Sequence, residues 1–448
     1  MNSENMSGTG AGGDEEFALA VAAHERGDIM EAAQRLEAMV RREPRNAQAL
    51  FKLAQIAFEG RYFSEAVELL SRVVRLGPEV PSYQYHLGLA LLMADRPMEA
   101  LGCFQQTTRL EPDNGAAWLK IGRIQDAFDH REEAAEAFQR AFLTRPGLPG
   151  LADNPNIPEP LRQEVRQARQ VLAVTYQAQV DEAMQSLQSR YGSDELKRLD
   201  LAFRMLTGRA EKQFNHPLQN PEMLLFPDDQ ARPWFEREEF DWVGRVEAAW
   251  PEILEEYTKL RSGAVDFHPY IAPVLDRADE GYRRNATTPA GTDFSSLAGS
   301  RDWSAFHLNK SGWNEANCAQ CPHTAEVMRA TPLAEADEYM PEVFFSVLQP
   351  DTHIVPHYGQ TNIRLTVHLA LDIPDGCGIR VGEETRHWEP GQVLAFDDSF
   401  EHEAWNRGDR ERGVLIFEVW NPALSEPERE GLQAYYRLRA AWLAKCRA

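Results

Sequence analysis

The chain has 448 residues, 43% hydrophobic and 26% charged, a composition for two or three folded domains rather than a disordered chain. Its 47 Lys and Arg stand against 70 Asp and Glu, and the net charge of −23 repels nucleic-acid phosphates and anionic membranes, pointing away from both as partners. No membrane span, no secretory signal and only five scattered cysteines (Cys103, Cys318, Cys321, Cys377, Cys446) together lead us to expect a cytoplasmic protein.

Residues 1–14 read as a flexible tail. A period of 34 residues then sets in: Pro44, Pro78, Pro112 and Pro146 share it, as do Ala32, Ala66, Ala100 and Ala134. Two further columns keep the same spacing, a small one (Ala20, Ala54, Gly88, Gly122) and a large one (Leu36, Leu70, Phe104, Phe138). The pattern resembles the tetratricopeptide repeat, a helix–turn–helix of this length. It predicts four repeats over residues 15–148. The small columns should let the two helices of a repeat approach, and the large column should fill the space between neighbouring repeats. Proline marks where each new repeat starts. Such arrays stack into a curved solenoid whose concave face suits a polypeptide partner, or else packs on the next domain.

Pro146-Gly147-Leu148-Pro149-Gly150 ends the array with turn chemistry. Within residues 149–214, the stretch 159–209 has helical spacing and predicts a pair of helices capping the solenoid. Near residue 215 the texture becomes dense in proline and aromatics, and the main domain boundary is placed there. From about residue 340 the period drops to two. Over residues 362–372, Ile363, Leu365, Val367, Leu369 and Leu371 point one way, while Asn362, Arg364, Thr366 and His368 point the other. Shorter β-type runs follow at 379–381, 393–396 and 414–420, separated by turns, which argues for a sandwich or jelly roll over 215–425. Residues 426–448 read as one amphipathic helix with Leu432, Tyr435, Tyr436, Leu438 and Trp442 available to cover the domain. The fold class expected is thus multidomain α + β, an α-solenoid followed by a double-stranded β-helix.

Histidines cluster in the β region: His353, His357, His368, His387 and His402. His357 follows a strand at 344–348, and His402 follows another and lies 45 residues downstream; Arg412 comes ten residues later and opens the last strong strand. Two imidazoles and a downstream arginine in that order are the layout of non-haem iron oxygenases. Imidazole suits Fe(II), open positions admit 2-oxoglutarate and O2, and an arginine fork holds a carboxylate. His353 and His387 are read as structural.

The stretch from His357 to Leu369 (HYGQTNIRLTVHL) and that from Phe396 to Trp405 (FDDSFEHEAW) resemble the aspartyl/asparaginyl β-hydroxylase family. The similarity runs from about 215 to 425 and includes the Pro-Trp-Phe segment at 233–235. Vertebrate members also place tetratricopeptide repeats before the catalytic domain. The resemblance implies His357 and His402 as iron ligands and catalytic centre, Arg412 as anchor of the 2-oxoglutarate carboxylate, and Ser346 and His368 as cosubstrate contacts. It implies Arg364 on the substrate side, where a second arginine is expected two residues on; this chain has Thr366 there.

Most oxygenases of this class carry a carboxylate two residues after the first histidine. Here that residue is Gly359. The resemblance implies a two-histidine site with water in the vacant position, and it favours the peptide-hydroxylating branch over lipid-hydroxylating relatives, which carry His-x-Asp. Asp397 and Asp398 read as turn residues. Cys318 and Cys321 lack a second ligand pair for zinc, and their segment falls where the family has a loop beside the active site, so substrate contact is expected of it. The implied activity is Fe(II)-, 2-oxoglutarate- and O2-dependent β-hydroxylation of Asp or Asn in a polypeptide. The alternatives are a non-catalytic adaptor and a hydroxylase of a lipid or small molecule.

Overall fold

Eight helices alternate with short turns at the start of the chain: α1 (Gly10–Glu25), α2 (Ile29–Arg42), α3 (Ala47–Glu59), α4 (Phe63–Leu76), α5 (Pro81–Met93), α6 (Pro97–Leu110), α7 (Gly115–Ala127) and α8 (Arg131–Thr144). The computed structural model describes residues 10–214, 216–221, 223–263, 265–271, 294, 296–310, 312–337 and 341–447. The expected tail lies outside the described residues as far as residue 9, and from Gly10 the chain is helical.

The helices form the four pairs that the period predicts. Asp28, Asn46 and Asn114 cap α2, α3 and α7 by accepting from the N–H groups of Glu31, Ala49 and Ala117. Each pair turns on a left-handed residue, Gly27, Arg61, Asp95 or Asp129, again 34 apart, with φ between 60° and 84°. Only the first is a glycine, which hides this column from a reader of the sequence.

The small and large columns turn out to be coupled. A Cβ on Gly88 would lie 2.8 Å from the Phe104 ring, and one on Gly122 would lie 2.4 Å from Phe138. Glycine therefore accompanies phenylalanine in the later repeats, while alanine accompanies leucine in the earlier ones (Ala20 with Leu36, Ala54 with Leu70). In the later two repeats the large column packs inside its own repeat, on the small column, rather than between repeats as expected.

The chain divides into two compact units, Met1–Leu172 and Ala173–Ala448, and the division falls inside α9 (Glu159–Glu195). Only the first part of α9 caps the array: Glu164 accepts from Lys120 at 2.6 Å and from Arg123. The expected cap over 149–214 is thus shared between units. After a break at Gly192 (φ 79°) comes α10 (Lys197–Leu206).

In the second unit the order continues with β1 (Trp234–Phe235), α11 (Val243–Ala248), α12 (Trp250–Ser262), β2 (His268–Pro269) and β3 (Trp303–Asn309). Then come α13 (Glu315–Cys318), α14 (Pro322–Arg329), β4 (Val343–Leu348), β5 (Thr352–His357) and β6 (Arg364–Asp372). The rest is β7 (Cys377–Val381), β8 (Glu384–Arg386), β9 (Val393–Phe396), β10 (His402–Asn406), β11 (Arg412–Trp420) and α15 (Glu426–Arg447).

Two antiparallel sheets result, a large one ordered β1-β9-β6-β11-β4-β3-β2 and a small one ordered β5-β10-β7-β8. From β4 onward the chain crosses between the sheets at every step except β7 to β8, which is the winding of a jelly roll. Side-chain alternation assigns the large sheet's faces. Leu365, Val367, Leu369, Leu415 and Phe417 pack outward with Ile253, Tyr257 and Met328 on the helices. Ala305, Phe344, Ala370, Phe396, Val414 and Ile416 pack inward with Ile354, Ile379, Val381 and Ala404 of the small sheet.

The C-terminal helix differs from its expected role. Leu432, Tyr435 and Tyr436 pack with Leu187, Leu199 and Phe203 of α9 and α10, and Arg198 pairs with Glu428 at 2.6 Å. It covers those helices as well as the edge of the β domain.

The Gly122–Phe138 contact is directly testable. Gly122→Ala should destabilise the helical unit by about 1–3 kcal/mol through overpacking. Adding Phe138→Leu should recover much of the loss, read as a double-mutant cycle in urea unfolding of the full chain.

Candidate active site

Strand pairing brings the two predicted ligands together. His357 ends β5, His402 begins β10, and the two are direct cross-strand partners. Their ring centroids are 4.0 Å apart. Each Nδ1 lies against a backbone oxygen two residues back, His357 on Val355 at 2.8 Å and His402 on Phe400 at 2.9 Å. A carbonyl can only accept, so each Nδ1 carries the proton and each Nε2 presents its lone pair. Burial, reinforced for His357 by the neighbouring His402, holds both imidazoles below their ordinary range, His402 down to about 4. Two neutral imidazoles with fixed tautomers are the form that binds a metal.

The glycine at the third-ligand position has a structural reason. A Cβ on Gly359 would lie 2.2 Å from the Asp398 carboxyl carbon. A carboxylate therefore does stand in that space, carried by Asp398 from the turn after β9. The Asp398 backbone carbonyl accepts from Gly359 N–H at 2.6 Å, and its side chain accepts from Thr366 at 3.2 Å. Burial pushes Asp398 up to about 6 against the pull of Arg364. Asp398 is the turn residue expected, and its carboxylate packs beside Gly359. Among the described residues no group of three His, Cys, Asp or Glu forms a metal-ligand set.

Arg412 opens β11 and is 1% exposed. Its Nε and Nη1 have no hydrogen-bond partner, and among the described residues no carboxylate pairs with it. Its guanidinium lies over the Trp388 ring at 4.9 Å. Burial lowers its pKa to about 10, which still leaves a cation at neutral pH. A buried cation with two N–H groups left without a partner among the described residues is a donor set suited to an anion.

The other expected contacts share the inner face. Ser346 pairs in register with Val414 and accepts from Trp303 Nε1 at 3.2 Å. His368 lies opposite Ile416, and its Nδ1 accepts from Trp388 Nε1 at 3.2 Å. Indole N–H can only donate, so His368 keeps its proton on Nε2 and offers a donor. Burial, then Arg412 and His402, hold it neutral. Arg364 is on the same face, but Glu418 already takes its guanidinium at 2.8 Å.

Cys318 and Cys321 do not join the site. Both are buried free thiols in the core on the sheet's outer face, opposite the histidines. His353 pairs with Glu403 at 2.7 Å and His387 with the Cys377 carbonyl at 2.7 Å, both structural.

Residues 247–422 match the family model described as aspartyl/asparaginyl beta-hydroxylase. That stretch, which is under half of the chain, is similar to this family. Residues 17–81, 60–101 and 85–147 match the tetratricopeptide repeat. The aspartyl/asparaginyl beta-hydroxylase of Homo sapiens is 28% identical over 372 residues, 82% of this chain and 42% of that protein. The ornithine lipid ester-linked acyl 2-hydroxylase of Rhizobium tropici is 32% identical over 202 residues, 44% of this chain and 63% of that one. The chain thus spans less than two thirds of either relative. A crystal structure of MamA protein is similar over 45% of this chain and 97% of its own, with 18% identity and a TM-score of 0.32.

An unpaired buried cation weakens the fold that holds it. Arg412→Met should raise the thermal midpoint of the β domain without ligand, by the equivalent of about 1–3 kcal/mol. It should also abolish the upward shift that 2-oxoglutarate with Mn(II) gives the unsubstituted protein. Differential scanning fluorimetry measures both.

Proposed function

We propose that the second unit is an Fe(II)- and 2-oxoglutarate-dependent dioxygenase acting on the β-carbon of an Asp or Asn side chain in a polypeptide, with the repeats aiding recruitment. The unpaired buried guanidinium of Arg412 carries this reading, because it faces the same interior as a pair of neutral, tautomer-fixed histidines. The residues fit the implied groups. His357 and His402 would hold Fe(II) through Nε2, and Arg412 would hold the distal carboxylate of 2-oxoglutarate. Fe(II) there supplies the coordination positions at which O2 and a 2-oxo acid react.

The chain's own residues do the rest. Backbone carbonyls of Val355 and Phe400 keep the imidazoles in the ligating tautomer. His368 and Ser346 offer polar contacts along the cosubstrate, and Trp388 walls the guanidinium from water. The Asp398 carboxylate, filling the space beside Gly359, would accept a hydrogen bond from a water at the metal. The net reaction consumes O2 and 2-oxoglutarate and yields succinate, CO2 and a hydroxylated product.

Similarity to the human hydroxylase over 82% of the chain, repeats included, favours a polypeptide substrate. Similarity to an ornithine lipid hydroxylase supports a lipid or small molecule as the second reading. No described helix is long and apolar enough to cross a membrane. A cytoplasmic location remains part of this proposal.

Anaerobic protein with Fe(II) and 2-oxoglutarate should show a weak visible charge-transfer band, and succinate should form when air is admitted. His402→Ala should abolish both. No band and no succinate in the unsubstituted protein would leave a non-catalytic adaptor as the better account.

A further inference from the structure

Along β11 the residues Arg412, Val414, Ile416 and Glu418 alternate onto the inner face. The unpaired guanidinium and the Glu418 carboxylate are six residues apart, about 20 Å at the rise of a strand. His368 lies opposite Ile416 and Thr366 opposite Glu418. The Phe396 ring, beside His402 at 5.7 Å and His368 at 5.1 Å, marks the level of the histidine pair. Phe396 pairs directly with Thr366, so the histidines stand near the level of Arg364, Thr366, Glu418 and Glu342, with Arg412 further along β11.

Charge at this second end is already matched. Arg364 Nη1 donates to Glu418 at 2.8 Å, and both side chains are largely buried. The same Glu418 oxygen accepts from the Glu342 N–H at 2.8 Å. Glu342 in turn accepts from Tyr270 at 3.1 Å and has the exposed Lys310 3.7 Å away. Thr366 stands where a second arginine was expected, and its hydroxyl donates to Asp398. Phe344 and the His307 ring, stacked at 4.9 Å, add aromatic wall. Burial lowers His307 to about 4, so it brings no charge.

Among the described residues at this end, then, each cation already faces a carboxylate. A substrate carboxylate entering here would be desolvated beside Glu418, Glu342 and Asp398, with no free cation to meet it among the described residues. That arrangement is costly. A neutral amide meets no such penalty, and its N–H groups can donate to carboxylate positions that the present bonds do not fill, since a carboxylate offers about four.

We propose that this site selects the neutral amide side chain of asparagine over aspartate, and that Glu418 determines the choice by occupying Arg364. The inference rests on the dioxygenase reading above and narrows its substrate class. Glu418 acts through Arg364 and is a specificity residue rather than a catalytic one. Burial pushes Glu418 up to about 7 despite Arg364, consistent with a carboxylate that an N–H donor would relieve.

The test uses the full chain with Fe(II), 2-oxoglutarate and air on two degenerate nonapeptide pools, one with a central Asn and one with a central Asp. Hydroxylation is read as +16 Da by mass spectrometry, and succinate is measured in parallel. The expected result is at least tenfold faster product from the Asn pool. Glu418→Gln, isosteric and uncharged, should free Arg364 and cut that ratio at least tenfold by raising the Asp rate. Thr366→Arg, which places a cation at the same end, should move the ratio the same way and serves if the first variant does not fold. Equal or faster reaction of the Asp pool overturns the inference, as does a ratio that neither folded variant shifts. No peptide product while succinate still forms overturns it and leaves the dioxygenase reading standing. No succinate under any condition removes both.

Discussion

A guanidinium shut away from water, without a counter-ion among the described residues, is the constraint on which the β domain turns. Removing such a cation from water costs several kcal/mol after relaxation, and nothing described in the protein offsets that for Arg412 beyond the face of Trp388. The group keeps its charge at neutral pH even though burial draws it down to about 10. Under the proposed function this arrangement serves a ligand rather than stability. The proposed ligand is an anion, which the unpartnered N–H groups of Arg412 would hold.

The sheet decides where that anion's other end can go. Because side chains alternate along a strand, Arg412, His368 and Ser346 reach one interior while Leu365, Val367 and Leu415 pack on the helices behind. The small sheet faces that interior and presents His357 and His402 as neighbours across two strands. Gly359 and Asp398 then form one device. The missing side chain leaves space for a carboxylate arriving from another turn, and neither residue makes sense alone. Charge changes sign along β11, from an open cation to a closed ion pair, and this gives the interior two chemically different ends.

Much of this was legible in the sequence because its periods are strong. The 34-residue columns gave the repeats, and strict alternation over 362–372 gave the strand on which Arg364, Thr366 and His368 share a face. The strands that carry the two histidines were missed. β5 contains a proline and polar residues, β10 is short and mixed, and their outer faces are exposed, so neither shows a clean period. Asp398 is in a turn as expected, but adjacency in sequence gives no hint that its carboxylate fills the space beside Gly359. Glu418 did leave a signal, a lone carboxylate on an otherwise apolar strand in phase with Arg412, though its partner could only be identified in three dimensions. That Cys318 and Cys321 pack on the outer side of the large sheet is visible only once the sheet's faces are known.

The central claim is that Arg412 and the histidine pair belong to one ligand. Its most direct test is an anaerobic crystal structure of the protein with Mn(II) and 2-oxoglutarate. The account predicts the metal on Nε2 of His357 and His402, the 2-oxo acid end of the cosubstrate at that metal, and the distal carboxylate on Arg412. Metal bound elsewhere, or a cosubstrate that leaves the Arg412 guanidinium without a partner, would contradict it.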